Sequence, residues 1–169
     1  MEYLLALSLT TGILCGVWMD VSSTLHLLAW AGFAGCTTFF AAGGKKDGFK
    51  TAIVTNFSGV FWAVITIQIT NYLGIPHNIA ISTGIITFVM CIQAKWSLFQ
   101  FIPGTFVGSF STFAAGGDWK AVIPALICGA LLGWACEASG TWLHKVTNKQ
   151  SSTTDKGVPE NIVINENRV

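Results

Sequence analysis

The sequence predicts an all-α membrane protein of six transmembrane helices, arranged as two inverted three-helix repeats with helices broken at glycine-rich ends. Three observations carry that expectation. The 169 residues are 52% hydrophobic and only 10% charged, whereas a soluble domain carries about 25% charged residues. At roughly 20 apolar residues per crossing, the length suits six short spans and a tail. Finally, one segment occurs twice. Phe33 to Gly44 read FAGCTTFFAAGG, Phe106 to Gly117 read FVGSFSTFAAGG, and 7 of the 12 positions match at an offset of 73. A repeat found early constrains the architecture before any local assignment is made.

Span one is expected from about Tyr3 to Met19, ended by Asp20. Glu2 stands where the basic region of a cleavable signal would be, and Leu4 to Val17 lead straight into the span, so no signal peptide is expected. Span two runs from about Thr24 to Gly44 and is closed by Lys45, Lys46 and Asp47. Span three runs from about Phe49 to Tyr72 and stops at the breaker Gly74-Ile75-Pro76. Span four, from about His77 to Ala94, is short and ends at Lys95. Span five runs from about Leu98 to Gly117, with Pro103 expected to help break it. Asp118 and Trp119 turn the chain into span six, from about Lys120 to His144. Residues 147–169 are polar and read as a disordered cytoplasmic tail.

Two further matches extend the repeat. Thr10-Thr11-Gly12-Ile13 in span one resembles Ser82-Thr83-Gly84-Ile85 in span four, at an offset of 72. Past a shorter 5–6 loop the offset is 70, pairing Lys50 with Lys120, Ile53 with Ile123 and Gly59 with Gly129. Residues 1–74 thus form one three-span unit and 75–146 a second. Three is odd, so the second unit enters from the opposite face, and the halves are related by a pseudo-two-fold axis in the bilayer plane. Lys45, Lys46, Lys50, Lys95, Lys145 and Lys149 fall on one side of this arrangement and only Lys120 on the other. The positive-inside rule places both termini in the cytoplasm.

Inverted repeats hold their substrate path where the halves meet, often at short, glycine-interrupted helices. The candidate path is Thr10, Thr11, Gly12, Thr38, Phe40 and Gly43 from the first half, with Ser82, Thr83, Gly84, Ser111, Phe113, Gly116 and Glu137 from the second. The same residues also suit tight packing and back-bonded hydroxyls, and the sequence leaves both uses open. Glu137 shares a helical face with Gly129, Ala130, Gly133 and Gly140, so it points into the bundle or a wet cavity. Function, snorkelling and pairing with Lys145 all remain open for it. Its mate at the offset of 70 is Ile67. Asn56 and Gln68 are placed to hydrogen-bond between helices, and His26 at an interface. Trp18, Trp96, Trp119 and Trp142 fall near span ends, where an aromatic belt sits. The five cysteines lie inside apolar stretches and read as small packing residues.

Thr-Thr-Gly-Ile-Leu (10–14), Trp-Ala-Gly-Phe (30–33), Met-Cys-Ile-Gln-Ala-Lys (90–95), Phe-Ile-Pro-Gly-Thr-Phe (101–106) and Gly-Asp-Trp-Lys (117–120) resemble the YcdZ-like bacterial inner-membrane proteins. That resemblance covers roughly residues 3–145. It implies a multi-pass inner-membrane protein of unknown function and carries over no active residues.

No phosphate loop, nucleophile elbow or metal-ligand spacing is visible, so neither an enzyme nor a cofactor is expected. The expected function is a channel or facilitator for a small polar, uncharged solute. Alternatives are a proton-coupled secondary transporter using Glu137 and a structural or accessory membrane subunit. The expected partners are the lipid bilayer, the solute and further copies of the chain in a homo-oligomer, not nucleic acid.

Overall fold

A computed structural model describes residues 2–73 and 78–154. The Gly74-Ile75-Pro76 break, His77 at the start of span four, and the tail from residue 155 lie outside the described residues. Those described form six α-helices: α1 (Tyr3–Thr24), α2 (Ala29–Ala41), α3 (Lys45–Leu73), α4 (Asn78–Ile92), α5 (Ile102–Ala114) and α6 (Trp119–Thr154). Short 3-10 turns at Gln93–Lys95 and Ser97–Phe99 join α4 to α5.

Three helices, α1, α3 and α6, are long and apolar enough to cross a membrane. By contrast α2 and α5 have 13 residues each, about 20 Å at helical rise, against a hydrocarbon core of about 30 Å. Both end in the same way. The Gly44 N–H bonds the Phe39 carbonyl and the Gly43 N–H that of Phe40, both at 3.0 Å. At matched positions Gly117 bonds Thr112 at 2.9 Å and Gly116 bonds Phe113 at 3.0 Å. Each end is a Schellman motif, which needs left-handed backbone, and Gly43 and Gly116 supply it with φ of 94° and 64°.

Several boundaries differ from expectation. Asp20 does not end α1, which continues to Thr24; His26, with φ of 53°, forms the left-handed cap that stops it. Lys45, Lys46 and Asp47 open α3 instead of closing the preceding helix, and Asp47 suits the positive end of the α3 dipole. Pro103 does not break α5. It sits in that helix's first turn, where its missing N–H costs nothing. At the other end α6 runs to Thr154, so residues 147–154 are helical. There Thr147 bonds the Leu143 carbonyl at 2.9 Å and Asn148 lies 3.3 Å from the His144 ring.

The helices pair in a matched way. The short helix α2 packs chiefly on α6 and α5 on α3, while α1 covers α6 and α4 covers α3. Glycines set the closest approaches. A Cβ on Gly59 would collide with the Thr105 carbonyl, and at the matched positions one on Gly129 would collide with the Gly32 carbonyl. Likewise Gly108 abuts the Asn56 backbone and Gly35 that of Leu126. Val60, Val122 and Leu126 form the apolar centre where α3 and α6 meet. Only 11% of the apolar window of α1 is buried, against 44% for α3 and 39% for α6, which makes α1 peripheral.

Candidate functional site

Every buried residue of α5 is a glycine, serine or threonine: Gly104, Thr105, Gly108, Ser109, Ser111 and Thr112. Opposite them α3 buries Thr55, Asn56 and Ser58. The seam between these helices is therefore lined by hydroxyls and one amide. Its upper edge is closed by Gln93, whose Oε1 accepts from Ser58 Oγ at 2.9 Å and Trp62 Nε1 at 3.0 Å. Gln93 Nε2 donates to Thr105 Oγ1 at 3.3 Å. Thr55 and Thr112 turn their hydroxyls back onto their own helices, to Thr51 at 2.7 Å and Gly108 at 2.9 Å.

At the inner edge α2 contributes Thr38. Its hydroxyl lies 2.9 Å from the Ala34 carbonyl and 3.2 Å from Asn56 Oδ1. A hydroxyl has one proton, so it satisfies one of these acceptors at a time. Asn56 Nδ2 and Ser111 Oγ are buried without a hydrogen-bond partner among the described residues. Both residues are at most 1% exposed. Orphaned polar groups in a low-dielectric interior are costly and mark places where a partner is missing.

The matched seam between α2 and α6 is chemically different. Gly32, Cys36 and Phe39 stand where α5 has Thr105, Ser109 and Thr112, and Ala125, Leu126 and Cys128 where α3 has Thr55, Asn56 and Ser58. Trp18, expected in an interfacial belt, is instead buried over Gly32 and donates its indole N–H to the Ala29 carbonyl at 3.1 Å. The first half thus covers with an indole what the second covers with Gln93.

The sequence candidates divide into two groups. Thr38 and Ser111 lie in the buried interior, Thr38 against Asn56. Ser82 is buried and lies 3.0 Å from the Thr70 hydroxyl. Thr10 is back-bonded to Ala6 and Leu7 at 3.1 Å, where α1 meets α6, and Thr11 is half-buried nearby. Gly12, Thr83 and Gly84 face outward, and a Cβ on either glycine would meet open space. Phe40 stacks edge-on against Phe39 at 5.2 Å, while Phe113 is exposed. Gly43 and Gly116 are exposed turn residues. Thr55, Ser58, Gln93, Thr105, Ser109 and Thr112 were not among the candidates. The spacing of Thr105, Ser109 and Thr112, at i, i+4 and i+7, was the signal that could have found them.

Glu137 lies apart from this seam. Its Oε2 accepts from the Lys45 backbone N–H at 2.7 Å, and its Oε1 is 2.9 Å from where a Cβ on Gly44 would stand. The carboxylate of α6 thereby caps the N-terminus of α3, where a negative charge is favoured by the helix dipole. At the matched positions Ile67 packs on Gly117, and α6 is capped locally by Asp118, whose Oδ1 accepts from the Ala121 N–H at 3.1 Å. Lys50 stands six residues after Gly44 and its match Lys120 three after Gly117, so three extra residues at the start of α3 account for the change of offset from 73 to 70.

Two shallow apolar grooves also lie between α3 and α6. One, of about 230 Å³, is lined by Lys46, Phe49, Leu131 and Trp134. The other, of about 290 Å³, includes the matched positions Trp119, Phe61 and Val64.

Comparison with known proteins places the chain in a family. Residues 8–141 match the family described as "Protein of unknown function (DUF1097)". "Inner membrane protein YcdZ" of Escherichia coli strain K12 is 47% identical over 148 residues, covering 85% of this chain and 89% of that protein. The protein of the same name in Salmonella typhimurium is 43% identical over 160 residues, covering 91% and 98%. "Uncharacterized protein YahC" of Escherichia coli strain K12 is 32% identical over 162 residues, covering 89% and 98%. No solved structure matches the chain.

Proposed function

The chain belongs to the DUF1097 family of membrane proteins of unknown function, and from that premise we propose that it is a channel or facilitator for a small, polar, uncharged solute. The observation that carries this reading is the hydroxyl-lined seam between α3 and α5. Buried polar groups within an apolar bundle are expensive and tend to mark solute pathways. No Asp, Glu, Lys or Arg is among its buried residues, which favours a neutral solute. The seam is closed in this conformation.

The reading includes a six-span architecture of two inverted halves, with both termini cytoplasmic in the inner membrane. Its support is the matched Schellman ends, the matched glycine contacts and the exchange of long helices between halves, each short helix packing on the other half's long one. It also includes a homo-oligomer, since α1 leaves Gly12 and Gly16 uncovered four residues apart, a spacing that lets membrane helices approach closely. Proton coupling through Glu137 finds less support, because that carboxylate is engaged in capping α3.

Stopped-flow shrinkage of proteoliposomes tests the reading. Urea, formamide or glycerol should enter faster than into empty vesicles. Equal rates for all three contradict it.

A further inference from the structure

The two helix crossings are built on the same backbone plan but not on the same chemistry. Gly59 on Thr105 matches Gly129 on Gly32, and Gly108 on Asn56 matches Gly35 on Leu126. Around the second member of each pair, between α2 and α6, the buried side chains are Cys36, Phe39, Val122, Ala125 and Leu126, with Thr38, the match of Ser111, as the one buried hydroxyl of α2. Packing at such a crossing therefore needs neither the amide nor most of the hydroxyls: a version with the single hydroxyl of Thr38, bonded back to the Ala34 carbonyl, stands in the same molecule. The polar version between α3 and α5 carries a cost that packing does not explain. Most of its hydroxyls offset that cost locally, through Gln93 or their own backbone. Asn56 Nδ2 and Ser111 Oγ do not.

We infer that these two atoms are the recognition point for the solute, and that only the α3–α5 crossing has one. Asn56 lies eleven residues into α3, about 17 Å along the helix. Ser111 lies one turn beyond Gly108, the α5 residue that touches the Asn56 backbone. An amide N–H₂ donates, and a hydroxyl both donates and accepts. The fitting ligand is therefore a small neutral molecule with a carbonyl oxygen and an N–H or O–H group, such as a simple amide or urea. Both atoms are sealed from solvent, so a solute reaches them only when α5 shifts on α3. The inference rests on the proposed transport reading and narrows it to one seam and one ligand class.

Asn56→Leu tests it, because it installs the residue that the matched position, Leu126, already accommodates. Ser111→Ala is the second variant, and Cys36→Ala in the apolar seam is the control. Two readouts separate the claims. First, acetamide is titrated into detergent-solubilised protein labelled at its asparagine side-chain nitrogens. The resonance that Asn56→Leu removes should shift saturably, whether or not the protein conducts; no shift overturns the inference. Second, formamide flux should fall at least tenfold in Asn56→Leu and Ser111→Ala and stay unchanged in Cys36→Ala. Normal melting temperatures would show that the variants fold. Unchanged flux in folded Asn56→Leu overturns the inference while leaving a facilitator of another path. Absent flux in the unmodified protein refutes the transport reading, and the titration then decides the binding site alone.

Discussion

Glu137 illustrates how much a single side chain's meaning depends on its partner. As the one carboxylate well inside a predicted span it invited a proton-carrying role. In the folded chain it holds the Lys45 N–H at 2.7 Å and lies against Gly44. Replacing a capping residue by alanine costs about 1 kcal/mol. Glu137→Ala should therefore lower the melting temperature in detergent, while Glu137→Gln, which keeps an acceptor oxygen, should lose less. An unaltered melting temperature in Glu137→Ala would remove the capping role. The sequence showed that Glu137 shares a face with glycines, since helical periodicity suffices for that. It did not show the cap, because the contact joins residues 92 apart in the chain. Asn56 and Ser111 were likewise visible as polar residues in apolar spans, yet their lack of a partner is a three-dimensional property.

Among helices, contact distance is decided by glycine. Gly59→Leu and Gly129→Leu push a side chain into a neighbouring backbone carbonyl, which cannot move as a flexible side chain can. Both should abolish the folded, monodisperse species in size-exclusion chromatography to a similar degree. Gly12→Leu, facing open space, should not. A folded Gly129→Leu would contradict the packing described. Gly16→Leu should likewise leave the fold intact but reduce cross-linked oligomers, and unchanged cross-linking would move the oligomer contact away from α1. The number of helices was legible from hydropathy, and the paired Gly-Gly ends from the repeat. The boundaries were less so. Lys45, Lys46 and Asp47 read as a closing charge cluster, but a charged cluster at a turn belongs as readily to the helix that follows. Here α3 takes it, because the left-handed residues before it have already ended α2.

For the whole molecule, the repeated segments matter because they differ in content while making matched glycine contacts. Apart from Thr38 the α2–α6 crossing is apolar, whereas the α3–α5 crossing is polar. On the proposed architecture each crossing joins the two halves, the α2–α6 crossing serving as the packing template and the α3–α5 crossing as the solute-handling seam. This rests on the halves being inverted, and the matched lysines Lys50 and Lys120, both exposed, report that inversion directly. In a variant lacking the five native cysteines, Lys50→Cys and Lys120→Cys are probed in intact spheroplasts with a membrane-impermeant maleimide. The account predicts labelling at position 120 alone from outside, and at position 50 alone in inside-out vesicles. Labelling of both positions from the same side would contradict it.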